Sequence, residues 1–195
     1  MSDIRSRRDE TLAPVDDVRV SRFLSLVLRH QPSVVGVRLD PGGWIDVDEL
    51  VAAFEAGGQR ITRADVECVV DNNDKQRFTI DPTLDRIRAS QGHSFAVDLG
   101  LSRRQPPESL FHGTASSSVE QILRQGIHRA SRHAVHLSPD EATATAVGAR
   151  RGRHTVLRVD AERMHADGHE FTVSANGVWL VEAVPGEYLA IESHR

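Results

Sequence analysis

Residues 77–94 read RFTIDPTLDRIRASQGHS. Arg77 to Asp81 and Arg86 to Ser90 are two β-like runs on either side of a turn containing Pro82, which predicts a hairpin. In the first run Phe78 and Ile80 share one face, and Arg77 and Thr79 the other. Working back from the hairpin, Thr62 stands three residues before Asp65, close to a capping-box pattern, and opens a helix through about Val70. Gly57-Gly58 ends an earlier helix that runs to Phe54 and is capped by Asp46 or Asp48. Trp44-Ile45-Asp46-Val47 is strand-like and follows a Gly42-Gly43 turn. Before that, Val20, Phe23, Leu24, Val27 and Leu28 recur at helical spacing, and Gln31-Pro32 stops the helix they define. Three helices followed by a hairpin is the layout of a winged helix, a module that handles nucleic acid or another protein.

Working forward, Gly100 to Glu108 reads as a linker. Beyond it the pattern changes. Short strands (Leu110 to His112, Val135 to Leu137, Thr155 to Val159, Phe171 to Val173, Val178 to Val184, Tyr188 to Ile191) alternate with helical segments near Ser117 to Arg124 and Asp140 to Ala149. Asn176-Gly177 between apolar runs is a hairpin signal. The economical reading is an α+β chain, its second half a mostly antiparallel, split sheet. The expected organisation is a disordered tail over 1–17, a first lobe over 18–99, the linker over 100–108 and a second lobe over 109–195. With 195 residues both lobes can bury real cores.

Bulk properties narrow the class. Net charge is −4, so the whole molecule offers no general attraction to nucleic acid. Lys75 is the sole lysine among 24 basic residues. Arginine's planar fork suits phosphate, although a GC-rich genome produces the same bias. No apolar run is long enough to span a membrane. A single cysteine, Cys68, excludes an internal disulfide and, with no leader, leads us to expect the cytoplasm. Cys68 reads as a small buried hydrophobe, and Trp44 and Trp179 as core.

Several clusters carry possible chemistry. Leu28-Arg29-His30 ends the first helix with Arg29 opposite the apolar face. The pair is either a phosphate clamp with a titratable partner or a solvated cation beside the negative end of the helix dipole. Arg77 projects toward that helix or into water. Arg88 to Ser94 gathers Gln91, His93 and Ser94 around Gly92, where backbone can approach a ligand. Phe111-His112-Gly113-Thr114 places polar groups at a strand end: His112 for a ribose hydroxyl, Gly113 for close approach of a flat ring, Thr114 for an amide or hydroxyl. Arg132, His136 and Ser138 surround another short strand. Histidines 128, 133 and 136 lie close in sequence, but no Cys or acidic ligand stands at zinc-like spacing, so no metal is expected. There is no Walker loop, no G-x-G-x-x-G and no G-x-S-x-G.

In order, Leu24 to His30 (Leu-Ser-x-x-Leu-Arg-His), Gly43 to Val47 (Gly-Trp-Ile-Asp-Val), the Asp-x-Lys-x-Arg-Phe element beginning at Asn73-Asp74, Ile87 to Ser94, Phe111 to Thr114, His136 to Ser138 and Asn176 to Leu180 resemble the RNA 2′-phosphotransferase family. The resemblance runs from about Val20 to Tyr188. It implies a winged-helix RNA lobe followed by an ADP-ribosyltransferase-like lobe that binds NAD as co-substrate. It implies that an internal RNA 2′-phosphate displaces nicotinamide from NAD, giving a phospho-ADP-ribosylated RNA. The ribose 2″-hydroxyl then takes the phosphate, leaving 2′-OH RNA and ADP-ribose 1″,2″-cyclic phosphate. The family's Arg-His-Arg-Arg set falls on Arg29, His30, Arg77 and Arg132. Its NAD contacts fall on His112, Gly113, Thr114 and Ser138, with Ser94, His136 and the Asn176-Gly177-Val178 turn near the nucleotide. Val178 stands where protein-modifying relatives place a catalytic Glu. Fixed guanidinium charge suits a phosphoryl transition state, and His30 is the one member of the set that can carry a proton near neutrality. Two other readings stay open: an ADP-ribosyltransferase acting on nucleic-acid terminal phosphates, and a non-catalytic winged-helix nucleic-acid binder. No apolar stripe is left over, so a monomer is expected.

Overall fold

The computed structural model describes residues 17–73 and 75–192. The segment read as a tail therefore lies outside the described residues, apart from Asp17, which instead opens the first helix. Helix α1 (Asp17–Arg29) buries Val20, Leu24, Val27 and Leu28 completely, and it carries Asp17 in its first turn and Arg29 in its last, as the helix dipole favours. Pro32 then starts a 3-10 turn (Pro32–Val35) closed by Gly36 at φ 73°, a left-handed geometry that suits glycine. Strand β1 (Ile45–Asp46) leads into α2 (Val47–Ala56), where the Asp46 carboxylate accepts the Glu49 N–H at 3.0 Å. Helix α3 (Arg63–Asp71) begins with the full capping box of Thr62 and Asp65. Strands β2 (Phe78–Asp81) and β3 (Arg86–Ala89) pair antiparallel, Ile80 opposite Ile87, and β1 adds on the far side of β3. The three helices and this sheet share one core, from Val20 to Ala89.

A second core, from Leu110 to Tyr188, gathers the remaining elements. These are β4 (Ser109–Ala115), α4 (Val119–Gln125), β5 (Ile127–His128), β6 (Val135–Leu137), α5 (Glu141–Gly148), β7 (His154–Asp160), α6 (Ala161–Ala166), β8 (Thr172–Val173), β9 (Trp179–Val181), β10 (Ala183–Val184) and β11 (Leu189–Ile191). Every strand pair is antiparallel. Order β11-β7-β4 makes one sheet, β6-β9-β8 another, and β10-β5 a third. Phe111 and Ser138 bridge the first two through reciprocal backbone bonds of 2.9 and 2.8 Å. The chain is thus mixed helix and sheet with several small antiparallel sheets, as the α+β expectation has it.

Some details differ from expectation. The β4 strand continues through His112, Gly113 and Thr114 to Ala115, because β7 pairs with it along its whole length. The apolar run 178–184 breaks at Glu182, since β9 and β10 belong to different sheets. Residues 100–108 do not hang free: the Arg104 N–H bonds the Phe171 carbonyl at 2.8 Å and Arg103 pairs with Glu170 at 2.6 Å. Cys68 is exposed, because the buried face of α3 is the Val66 and Val69 stripe and Cys68 points away from it. Trp44 is only half-buried, and the Arg88 guanidinium lies 4.4 Å over its ring. Trp179 packs edge-on against Phe171. No described helix is long and apolar enough to cross a membrane.

Hydrogen bonds join the two halves. The His133 N–H donates to the His93 carbonyl at 3.3 Å, and the Asn176 side-chain amide donates to the Lys75 carbonyl at 2.8 Å. Both lie next to residues that the sequence marked for chemistry.

Candidate functional site

Arg29 closes α1 and turns back beneath the hairpin. Its Nη2 donates to the Arg77 carbonyl at 3.0 Å, its guanidinium sits 5.6 Å from the Phe78 ring, and its Nε is buried with no partner. Burial first, then the charges of Arg77 and Arg132, push its pKa down to about 10. Three arginines far apart in sequence therefore converge on one place, and Arg29 stays cationic at neutral pH. Arg77 is itself lowered, by burial and then by Arg150. Arg150 follows α5, and no motif in the sequence drew attention to it.

His30 is exposed, beside Arg29. Its Nδ1 lies 3.2 Å from the Ser94 hydroxyl, which also donates to the Arg29 carbonyl at 3.3 Å. A serine hydroxyl has one proton to give. With that proton on the Arg29 carbonyl, Ser94 accepts the Nδ1 proton of His30 and leaves Nε2 with its lone pair outward. Burial, then Arg29 and Arg132, lower the His30 pKa, so the ring is neutral at pH 7. Ser94 therefore sits beside Arg29 and His30, held further by its own N–H on the Arg29 carbonyl at 2.9 Å.

On the other side, His112, Thr114, Arg132 and His136 line a cavity of about 450 Å³. Arg132 donates to His136 Nδ1 at 3.3 Å, which places the imidazole proton on Nε2, a buried atom with no partner. Burial first, then Arg132 and His133, hold the His136 pKa at about 3, so this ring is neutral. His112 Nδ1 meets the His136 carbonyl at 3.2 Å. Such a wall of one fixed cation, the neutral His136 ring and the polar side chains of His112 and Thr114 suits a polar, anionic small molecule.

The remaining expected residues fall elsewhere. Gly113 does not line this cavity: a Cβ there would overlap the Ala144 carbonyl and lie 2.8 Å from the Gly148 nitrogen, so the glycine lets α5 rest on β4 backbone to backbone. Ser138 is engaged through its backbone with Phe111. Asn176, Gly177 and Val178 form the β8–β9 turn, closed by the Ser174 hydroxyl, and this turn docks on Lys75 next to Arg77. Between the two groups lies a feature the sequence did not reveal. His93 is completely buried, neither ring nitrogen has a partner, and its pKa is held at about 4, by burial first and then by His133 and Arg29. Its ring is 6.2 Å from that of His133, which is 6.4 Å from His136.

The family described as RNA 2'-phosphotransferase, Tpt1 / KptA matches residues 15–183. The chain belongs to that family. Among similar curated proteins, the probable RNA 2'-phosphotransferase of Streptomyces coelicolor is 56% identical over 172 residues, covering 88% of this chain and 93% of the relative. That of Burkholderia lata is 49% identical over 190 residues, covering 95% of this chain and 96% of the relative. That of Rhodopirellula baltica is 51% identical over 173 residues, covering 88% and 94%. The stretch matched to the RNA 2′-phosphotransferase family holds all of Arg29, His30, Arg77, Arg132, His112 and His136, so both halves of the site lie within the family's span.

Proposed function

We propose that this chain transfers an internal RNA 2′-phosphate to ADP-ribose drawn from NAD. Membership of the RNA 2′-phosphotransferase family supports the transferase class. The observation that carries the finer reading is the convergence of Arg29, Arg77 and Arg132 beside a neutral His30. A phosphate monoester carries nearly two negative charges, and fixed guanidinium groups stabilise both it and the charge spread over its equatorial oxygens during transfer. In this reading the first half is a winged-helix lobe that takes the RNA, and the second is an ADP-ribosyltransferase-like lobe whose 450 Å³ cavity takes NAD. Arg132 belongs both to the cation cluster and to that cavity, which brings phosphate and co-substrate together.

In the first step a phosphate oxygen bonds to the nicotinamide ribose anomeric carbon as the bond to neutral nicotinamide breaks; no strong base is needed. In the second, the ribose 2″-hydroxyl bonds to phosphorus, loses its proton, and the bond to the RNA 2′-oxygen breaks, that oxygen gaining a proton. Nε2 of His30, with its lone pair outward, is the group suited to receive the first proton and return it to the leaving oxygen. The cavity's polar groups fall to His112, Thr114 and His136, with Ser138, Gly113 and the Asn176–Val178 turn supporting the strands that carry them.

The test is an incubation of the chain with an RNA bearing one internal 2′-phosphate, with and without NAD. The RNA should lose the mass of one phosphate only when NAD is present. Unchanged RNA with NAD overturns the reading. A gain of ADP-ribose on a terminal phosphate, with the internal one untouched, favours instead an ADP-ribosyltransferase of nucleic-acid ends.

A further inference from the structure

A second cavity, of about 580 Å³, runs along α1 and shares no lining residue with the one assigned to NAD. On the helix it is lined by Val18, Ser21, Arg22 and Ser25, a stripe at three- to four-residue spacing and so a single face. Across from these stand Asn72, Asn73 and Lys75, and His30 and Arg77 close the end next to the cation cluster. Leu26 and Val69 add apolar surface. Among the described lining residues, Arg22, Lys75 and Arg77 stand with one carboxylate, Asp17, so this lining is cationic in a chain whose net charge is −4. Arg22 is exposed and takes part in no ion pair among the described residues. Neither the fold nor the proposed chemistry requires it there.

We propose that this groove seats the RNA strand on one flank of the 2′-phosphate, with Arg22 against a backbone phosphate and Asn72 against a base or ribose edge. The inference rests on the RNA 2′-phosphate reading and says where the strand runs. His30 and Arg77 belong both to the phosphate grip and to this groove, so a chain whose phosphate sits on the arginines continues into it. The ligand class follows from the lining: spaced cations for phosphates, amides and hydroxyls for polar edges, and aliphatic surface for a base. A single-stranded RNA presents all three at once. Because the groove lies on one side of the cluster, it takes one flank and not both.

The test is equilibrium binding, by fluorescence anisotropy without NAD, of short RNAs carrying one internal 2′-phosphate, extended on the 5′ side only or on the 3′ side only. One extension should tighten binding to the wild-type chain and the other should not. Arg22→Ala and Asn72→Ala should each remove much of that gain. Arg22→Ala should also flatten the dependence of log affinity on log salt by about 0.7, because one backbone phosphate is no longer neutralised, and Arg22→Lys should restore it. A full gain and an unchanged salt slope in Arg22→Ala would overturn the groove assignment alone. Wild-type binding that ignores whether the 2′ position carries phosphate or hydroxyl would instead overturn the functional reading beneath it.

Discussion

At Arg29, burial and like charge act in the same direction, and the guanidinium is still held in place by a backbone carbonyl and an aromatic face. Such an arrangement costs stability in the empty protein and returns it when an anion arrives. Arg77 and Arg132 are the more accessible members of the cluster, so they are the place to separate the two chemical steps. Arg77→Ala or Arg132→Ala should slow the second step about 100- to 1,000-fold, as loss of one fixed donor to a transition state does. Phospho-ADP-ribosylated RNA should then build up in a quenched time course. Loss of NAD affinity in both variants, with no such intermediate, would refute the assignment to phosphate. The His30–Ser94 pair makes a separate claim. Because the His30 pKa lies below 6.5, the acid limb of the rate profile should fall below pH 6.5. Ser94→Ala removes the bond that fixes the imidazole tautomer and should cut turnover roughly fivefold, for about 1 kcal/mol, with Ser94→Thr restoring it. A profile and a turnover untouched by Ser94→Ala would show that the serine only packs.

Between elements, the tightest approach near the site is α5 on β4, made possible by Gly113. Gly113→Ala should destabilise the chain by about 3 kcal/mol or more, since backbone atoms of α5 cannot give way as a side-chain tip can. Gly148→Ala, whose Cβ would lie 3.1 Å from His154 Cβ and 3.3 Å from Gly113 Cα, should cost less than Gly113→Ala, its crowding partly offset by a helix-propensity gain of about 1 kcal/mol. Urea midpoints of the two variants check this; equal losses would mean that the helix can slide. The same packing shows what sequence reading can and cannot reach. Gly113 in a His-Gly-Thr motif invites a ligand explanation, but the α5 backbone that needs the missing Cβ lies far along the chain. Caps at Asp46 and Thr62 were legible because capping is a local exchange of hydrogen bonds. The short β5 and α6 were not, because two residues and six give no period to read. Cys68 was misread because its valine neighbours lie on a different face of α3.

For the whole molecule, the site exists only because two cores are brought together. Arg29 and Arg77 come from one, Arg132 and His136 from the other, and local sequence patterns lend each at most an even claim to a role. Their motifs in family order made the set legible; spacing alone did not. The burial of His93, at the junction, was not legible, because nothing in a Gln-Gly-His-Ser run says which polar group turns inward. It also leaves a signature in stability. The unfolded chain protonates this imidazole near pH 6.5, and the folded chain resists until about pH 4. Between those values the unfolded state binds more protons, so the contribution is whole above pH 6.5 and is lost as pH falls toward 4. At about 1.4 kcal/mol per pH unit the loss is about 3 kcal/mol. His93→Gln should therefore lose stability less steeply than wild type between pH 6.5 and 4.5 in urea titrations, and parallel curves would contradict a neutral buried His93. The central claim, that the phosphate leaves RNA for ADP-ribose at the arginine cluster, is tested most directly by identifying the phosphorus-containing product. Phosphorus NMR and mass spectrometry of a completed reaction with 2′-phosphorylated RNA and NAD should find ADP-ribose 1″,2″-cyclic phosphate, one for each nicotinamide released. Inorganic phosphate in its place, or release of the phosphate without NAD, would contradict the account.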